Sequence, residues 1–375
     1  SVFCPPSLTS LPACVEGRRF AADLRSCNVS GLDLRRSAEQ AACVSFDDRT
    51  RWPPAERMPN GFEPASVLQA NTNPGLGLRQ LHAEGVTGRG VGIGIIDTTL
   101  LTDHREYARQ LRWYEEVKGV RGMLDPSFVP PAHMHGAAVA SLAVGSTMGV
   151  APEADLYFIA TDQDDPRALI WQAHFYAQGI RRFVRVNRAL PADRKIRAIS
   201  ISMGWGPECP GYSDVTAAVE EAEREGIVLF ALFLDGDFEA AGRAAESDPD
   251  RFDSYGPAAL RAADFFGGRL RPSLLWIPVD ARTTASPTGL ADRVFYRWGG
   301  ASWMPPCLAG AYALAAQVDP RITRERFMAL ARKTGRTNVV RHDGRSYSFG
   351  PILDPAGLIS ALRKDPGDRG SSASR

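Results

Sequence analysis

Gly299-Gly300-Ala301-Ser302-Trp303-Met304-Pro305-Pro306-Cys307-Leu308-Ala309-Gly310 is the stretch on which the reading of this chain turns. A glycine pair permits a tight backbone turn and leaves room for close approach. Proline costs nothing in the first turn of a helix, where its missing N–H has no intrahelical partner in any case. The small and apolar residues that follow predict a buried helix from Met304 to about Gln317, with Ser302 at its start. A serine in that position is ordinarily an N-cap. It is also well placed as a nucleophile, because N–H groups at a helix N-terminus can receive developing negative charge. The rest of the chain decides between the two.

Outward from this stretch, the preceding chain alternates short apolar runs with helical patterns. Val91-Gly92-Ile93-Gly94-Ile95-Ile96 suits a strand buried on both faces and ends at Asp97. His133-Met134-His135-Gly136 leads into the small, apolar run Ala137 to Val144, which predicts a buried helix with His135 at its beginning. Gly149-Val150-Ala151-Pro152 turns the chain into a strand from Asp155 to Ala160. A helix from about Pro166 to Gly179 precedes the basic stretch Arg181 to Arg197. Ile199 to Gly204 reads as a strand, Ser213 to Glu225 as a helix and Ile227 to Leu234 as a strand. Alternation of this kind predicts an α/β fold on a mostly parallel sheet with helices on both faces, whose chemistry gathers at the carboxyl ends of the strands.

The chain has 375 residues, enough for one large domain or two ordinary ones. Its composition, 44% hydrophobic and 23% charged, fits a soluble globular protein. A net charge of +1 provides no global attraction to nucleic acid or acidic membranes. No apolar run is long enough for a membrane span. Four of the six cysteines lie within the first 43 residues without a tight C-x-x-C pair, which argues against zinc and leaves disulfides open. With no leader visible, an intracellular location is favoured, and secretion follows if a leader has been removed.

Residues 1–65 read as an N-terminal extension and connector, 66–363 as the main domain and 364–375 as a disordered tail. From Ala22 the extension carries a five-residue rhythm centred on Leu24, Val29 and Leu34, similar to a few rungs of a pentapeptide-repeat coil. Three rungs are few, because a solenoid buries its face by stacking neighbours. Arg181, Arg182, Arg185 and Arg188 form a basic cluster that reads chiefly as a solvated face, with an acidic partner as the alternative. Thr323 to Arg332 has amphipathic helical spacing.

Asp97, His135 and Ser302 each have an ordinary structural role when taken alone. Together, in that chain order, they supply a nucleophile, a base to remove its proton and a carboxylate to fix the base. At this point the chain resembles the subtilisin-like serine peptidases over about residues 66–363. Ile95-Ile96-Asp97-Thr98 is similar to the family's aspartate motif, and His135-Gly136 with Val139-Ala140 to HGTHVAG. Gly149 to Pro152 is similar to the GVAP turn, and Ser200 to Gly204 to the substrate-binding strand. Gly300-Ala301-Ser302 with Pro306 and Ala309-Gly310 is similar to GTSMAxPxxAG. The resemblance implies a subtilisin-like fold and an endopeptidase in which Ser302 attacks the scissile carbonyl, His135 acts as base and then acid, and Asp97 orients His135. Ser202, Met203 and Gly204 would pair with the backbone of a peptide or protein substrate.

No organic cofactor is implied. Structural calcium is common in the family, but Asp162-Gln163-Asp164-Asp165 reads as a solvated turn and no other stretch suggests a calcium loop, so no metal ligands are assigned. Departures cluster around the site. Thr99 replaces a glycine, Ala138 the second histidine of HGTHVAG and Ala301 a threonine, and Trp303-Met304 is bulkier than Met-Ala. The family's oxyanion-hole asparagine falls on Asp235 when counted along the strand, or on Asp237 when matched to the Gly-Asn pair. An ionised carboxylate only accepts hydrogen bonds, and loss of one oxyanion donor costs about 10²–10³ in turnover. A protonated carboxyl in an apolar site would still donate. Leu232, Phe233 and Leu234 replace the small residues of the primary specificity pocket. These departures support one alternative, a pseudo-protease kept as a binding or regulatory module.

Overall fold

The computed structural model describes residues 8–14, 22–117, 128–129, 132–161, 173–232 and 236–364. At its centre lie five parallel strands in the order Leu111–Glu116, Asp155–Ala160, Gly92–Asp97, Ile196–Ile201 and Val228–Ala231. Ile95 of the middle strand stands between Phe158 and Ser200. Burial on both faces explains the unbroken apolar run. Ile93 and Ile95 enter the core that holds helices Met134–Val144 and Met304–Val318. Ile96 enters the core built with helices His174–Ala189 and Tyr212–Arg224. The expected α/β subtilisin-like layering, helices on both faces of a parallel sheet, is therefore present.

The helix before strand Ile196–Ile201 differs from its sequence reading. It runs from His174 to Ala189 and takes in the basic cluster, while the expected first turns, residues 166–172, lie outside the described residues. Three of its cations have partners within the chain: Arg181 pairs with Asp214 and Glu221, Arg182 with Glu115, and Arg188 with Glu225. The helix expected over Thr323 to Arg332 runs from Arg324 to Thr334, with the Thr323 side chain accepting from the Arg326 N–H.

Beyond the central sheet, a second one joins Gly256–Pro257, Phe238–Gly242, Leu275–Pro278, Arg345–Ile352 and Arg336–His342 in mixed orientation. A third, antiparallel, joins Phe46–Asp47, Arg293–Tyr296 and Arg282–Ala285. Its first strand comes from the N-terminal region. There Leu24, Val29 and Leu34 are buried at the five-residue spacing. Their N–H groups donate to the carbonyls of Ser45, Arg51 and Arg57, each at 2.8 Å. The rungs are thus completed by a second pass of the same segment, not by further repeats. Cys14 and Cys43 form a disulfide, and Cys27 is buried.

Phe46 locks this coil onto the body of the protein. It is fully buried, pairs with Phe295 across the strands and packs its ring 5.4 Å from that of Phe295 and 5.2 Å from that of Trp52. Phe46→Ala should cost about 3–5 kcal/mol, the range for truncating a buried aromatic side chain. Urea unfolding followed by both far-ultraviolet circular dichroism and tryptophan fluorescence checks this. A loss below 1 kcal/mol would mean that the coil is not coupled to the rest.

Candidate active site

Asp97 closes the middle strand of the central sheet and is 1% exposed. Its carbonyl accepts from the Thr161 N–H at 2.8 Å, which continues the sheet ladder. One carboxylate oxygen, Oδ1, gathers three contacts: the Thr98 N–H at 2.8 Å, the Thr98 hydroxyl at 3.1 Å and His135 Nδ1 at 2.7 Å. Burial pushes this carboxyl up, but the facing His135 charge, its hydrogen bond and the Thr98 donors outweigh burial. The net result is an acid held below the ordinary aspartate range.

His135 sits in the first turn of helix Met134–Val144. His133 caps that helix, its Nδ1 accepting from the His135 N–H at 3.1 Å. Thr98 uses its hydroxyl twice, since it also accepts from the Gly136 N–H at 3.0 Å and so joins the strand end to the helix. A Cβ at Gly136 would lie 2.6 and 2.7 Å from the carbonyl oxygens of Thr99 and Thr98. Only glycine lets the helix abut the strand this closely.

Ser302 lies in a single 3₁₀ turn, Ala301–Trp303, that runs into helix Met304–Val318 with proline in its first turn. The approach to this turn is fixed on both sides. A side chain at Gly299 would overlap the Val279 carbonyl, and the Gly299 N–H donates to the buried Asp280 carboxylate at 2.8 Å. The Ser302 carbonyl accepts from the Ser202 hydroxyl at 2.7 Å, although the two residues are 100 positions apart. Trp303, directly after Ser302, packs its ring 5.5 Å from the His135 imidazole. Asp97 and His135 are therefore hydrogen-bonded, and the turn of Ser302 rests against both His135 and the end of the strand that leads to Ser202.

Met203 and Gly204 continue from that strand, and the Met203 carbonyl accepts from the Leu232 N–H at 2.9 Å. Asp235 and Phe233, as well as Asp162 to Asp165, lie outside the described residues. Asp237 is described: its carboxylate meets Arg332 at 2.7 Å and Arg324 at 3.6 Å. With two guanidinium groups opposite, its oxygens act as acceptors.

Sequence reasoning did not assign roles to Thr98, His133, Asp280 or Tyr296. Thr98 follows Asp97 directly and could have been suspected as a local donor. A histidine N-cap carries no such signal, and Asp280 and Tyr296 matter only through folds of the chain. Among the described residues no group of His, Cys, Asp or Glu side chains is placed to hold a metal ion, and no helix is long and apolar enough to cross a membrane.

Residues 88–233 match the model of the subtilase family. The chain is similar to the subtilisin-like protease PopC of Myxococcus xanthus, at 25% identity over 284 residues, covering 66% of this chain and 56% of that protein. It therefore spans little more than half the length of that relative. Among solved structures, the prenylagaramide maturation protease PagA superposes with a TM-score of 0.52 at 14% identity, over 76% of this chain and 98% of that one. A chain from the subtilase cytotoxin SubAB assembly gives 0.53 at 13% identity, over 78% and 95%. At these identities the structural likeness speaks for the fold.

Proposed function

We propose that this chain, whose residues 88–233 match the model of the subtilase family, is a divergent subtilase that hydrolyses peptide bonds as a serine endopeptidase through Asp97, His135 and Ser302. The observation that carries the reading is the 2.7 Å contact of a buried carboxylate with His135 Nδ1, the imidazole against which the Ser302 turn is packed through Trp303. A carboxylate in that position keeps the proton on Nδ1 and leaves Nε2 as the base, then stabilises the imidazolium that forms. Ser302 attacks the carbonyl and gives its proton to Nε2, and His135 returns that proton to the leaving amine. Water repeats the cycle on the acyl-enzyme.

Backbone groups of Ser202 and Gly204 receive the substrate as an added strand, a mode in which main-chain hydrogen bonds supply the affinity. The Ser302 N–H, at the start of its helix, serves as one oxyanion donor. Asp235 is the second in its protonated form, because Asp237 is engaged by Arg332 and Arg324.

The test is covalent labelling with a fluorophosphonate between pH 5 and 9, with the labelled residue identified by mass spectrometry. Modification at Ser302 supports the reading, and a rate that falls above neutral pH supports a protonated oxyanion donor. A folded sample that takes no label at any pH would overturn it in favour of a non-enzymatic binding module.

A further inference from the structure

The contacts of Trp303 do not end at His135. On its other side the indole meets Tyr296, with ring centroids 5.5 Å apart at 65°. Tyr296 is 3% exposed, and its hydroxyl accepts from Arg25 Nη1 at 3.1 Å. The Arg25 guanidinium stands over the same ring, 5.4 Å from its centre. Arg25 is itself 3% exposed and forks onto Asp23, with Nε 3.0 and 2.9 Å from the two carboxylate oxygens and Nη2 2.6 Å from one of them. Asp23 belongs to the N-terminal coil and bridges to Ser45 in its second pass.

Each member of this series has a physical need for the next. An imidazole held at one nitrogen by Asp97 can still swing about its side-chain torsions unless a wall stops it. Trp303 is that wall, 4% exposed, yet its indole N–H has no hydrogen-bond partner among the described residues. Packing alone therefore fixes its orientation, against Gly299, His135 and Tyr296. A buried tyrosine hydroxyl requires a partner, which Arg25 provides. A buried guanidinium in turn requires a carboxylate, which Asp23 provides.

We infer that Arg25, Tyr296 and Trp303 are positioning residues for His135, so that the N-terminal coil is part of the support of the active site. The inference deepens the peptidase reading and rests on it. Among the described residues, the contacts of His135 include Asp97 at Nδ1, His133 at its N–H and the Trp303 ring, and none of these three is changed by Tyr296→Phe or Arg25→Lys.

The experiment uses the full chain with Tyr296→Phe, which removes one hydroxyl, and Arg25→Lys, which keeps the charge and loses the fork. For each variant the unfolding midpoint, kcat and KM on a fluorogenic peptide, and the pH profile of fluorophosphonate labelling are measured. A fourth readout is the part of the tryptophan emission lost in Trp303→Phe, followed against pH, because an imidazolium in contact quenches an indole. The expected result is kcat and labelling rate lower by roughly tenfold, KM within about twofold, a displaced acid limb and a smaller quench from His135. Variants that fold and keep the parent kcat, pH profile and quench would overturn the inference. If the parent itself takes no label, the peptidase reading fails while the quench still decides the brace. A reduced quench in Tyr296→Phe and Arg25→Lys then upholds it, and an unchanged quench refutes it.

Discussion

Ser302→Ala should lower kcat/KM for peptide hydrolysis by about 10⁵–10⁶, the scale on which loss of a nucleophile from such a catalytic unit falls. The change removes one hydroxyl oxygen and little else. The structural bond at this residue is made by its carbonyl, which accepts from Ser202, so alanine keeps it. The turn is held by Gly299 and Asp280, which the substitution does not touch. Unfolding should therefore be unchanged within about 0.5 kcal/mol, as for substitutions that disturb no packing or buried partner. Adding His135→Ala to Ser302→Ala should lower the rate little further, because the two groups act as one unit. The measurement is kcat/KM with enzyme concentration fixed by active-site titration of the parent. A loss of less than tenfold for either variant would remove Ser302 from the reaction.

Asp97→Asn should reduce turnover at neutral pH by about 10⁴. Asparagine fits the same space, but a single atom, Oδ1, now meets both Thr98 and His135 Nδ1. An amide oxygen in that place keeps the contacts and carries no charge to stabilise the imidazolium. An NH₂ in that place forces His135 Nδ1 to accept, which moves the imidazole proton to Nε2, where the ring can no longer receive the proton of Ser302. The same substitution has a second signature, in stability against pH. The Asp97 carboxyl titrates below its ordinary value in the folded protein, so the folded state binds fewer protons than the unfolded chain. Its stabilising contribution is complete above the unfolded value of about 3.9 and is lost as pH falls through the lower folded value. Calorimetry from pH 6 to 2 should show a steeper acid loss in the parent than in Asp97→Asn. Parallel curves, or activity within tenfold of the parent, would sink the assignment.

The parts of this structure that could be read in the sequence are those whose cause is local. A six-residue apolar run ending in aspartate, a histidine followed by a glycine with no room for Cβ, and a glycine pair before a proline-started helix each carry their reason within a few residues. Strand–helix alternation gave the layers for the same reason. What escaped is held together from a distance. Arg282–Ala285 reads Arg-Thr-Thr-Ala, without the apolar alternation of a strand, yet it is fully buried. Its polar groups find the carbonyls of Leu68 and Met148, which no window of sequence contains. The arginines after Gly179 look free in sequence because Glu115, Asp214 and Glu221 come from other elements. The oxyanion position falls on either of two aspartates in the sequence, and the partners of one of them, Asp237, are Arg324 and Arg332 from a distant helix.

The pairing of Phe46 with Phe295 also sets a schedule. The two residues are 249 positions apart, so at about 5–20 residues per second the ribosome delivers the second roughly 12–50 s after the first. Tyr296 follows Phe295, and Ser302 comes six residues later. During that interval Phe46 lacks the ring it packs against across the strands. Ser302 and the strand that receives the coil emerge almost together. Only a short interval of synthesis separates the strand on which the coil docks from the turn that the coil reaches through Tyr296 and Trp303.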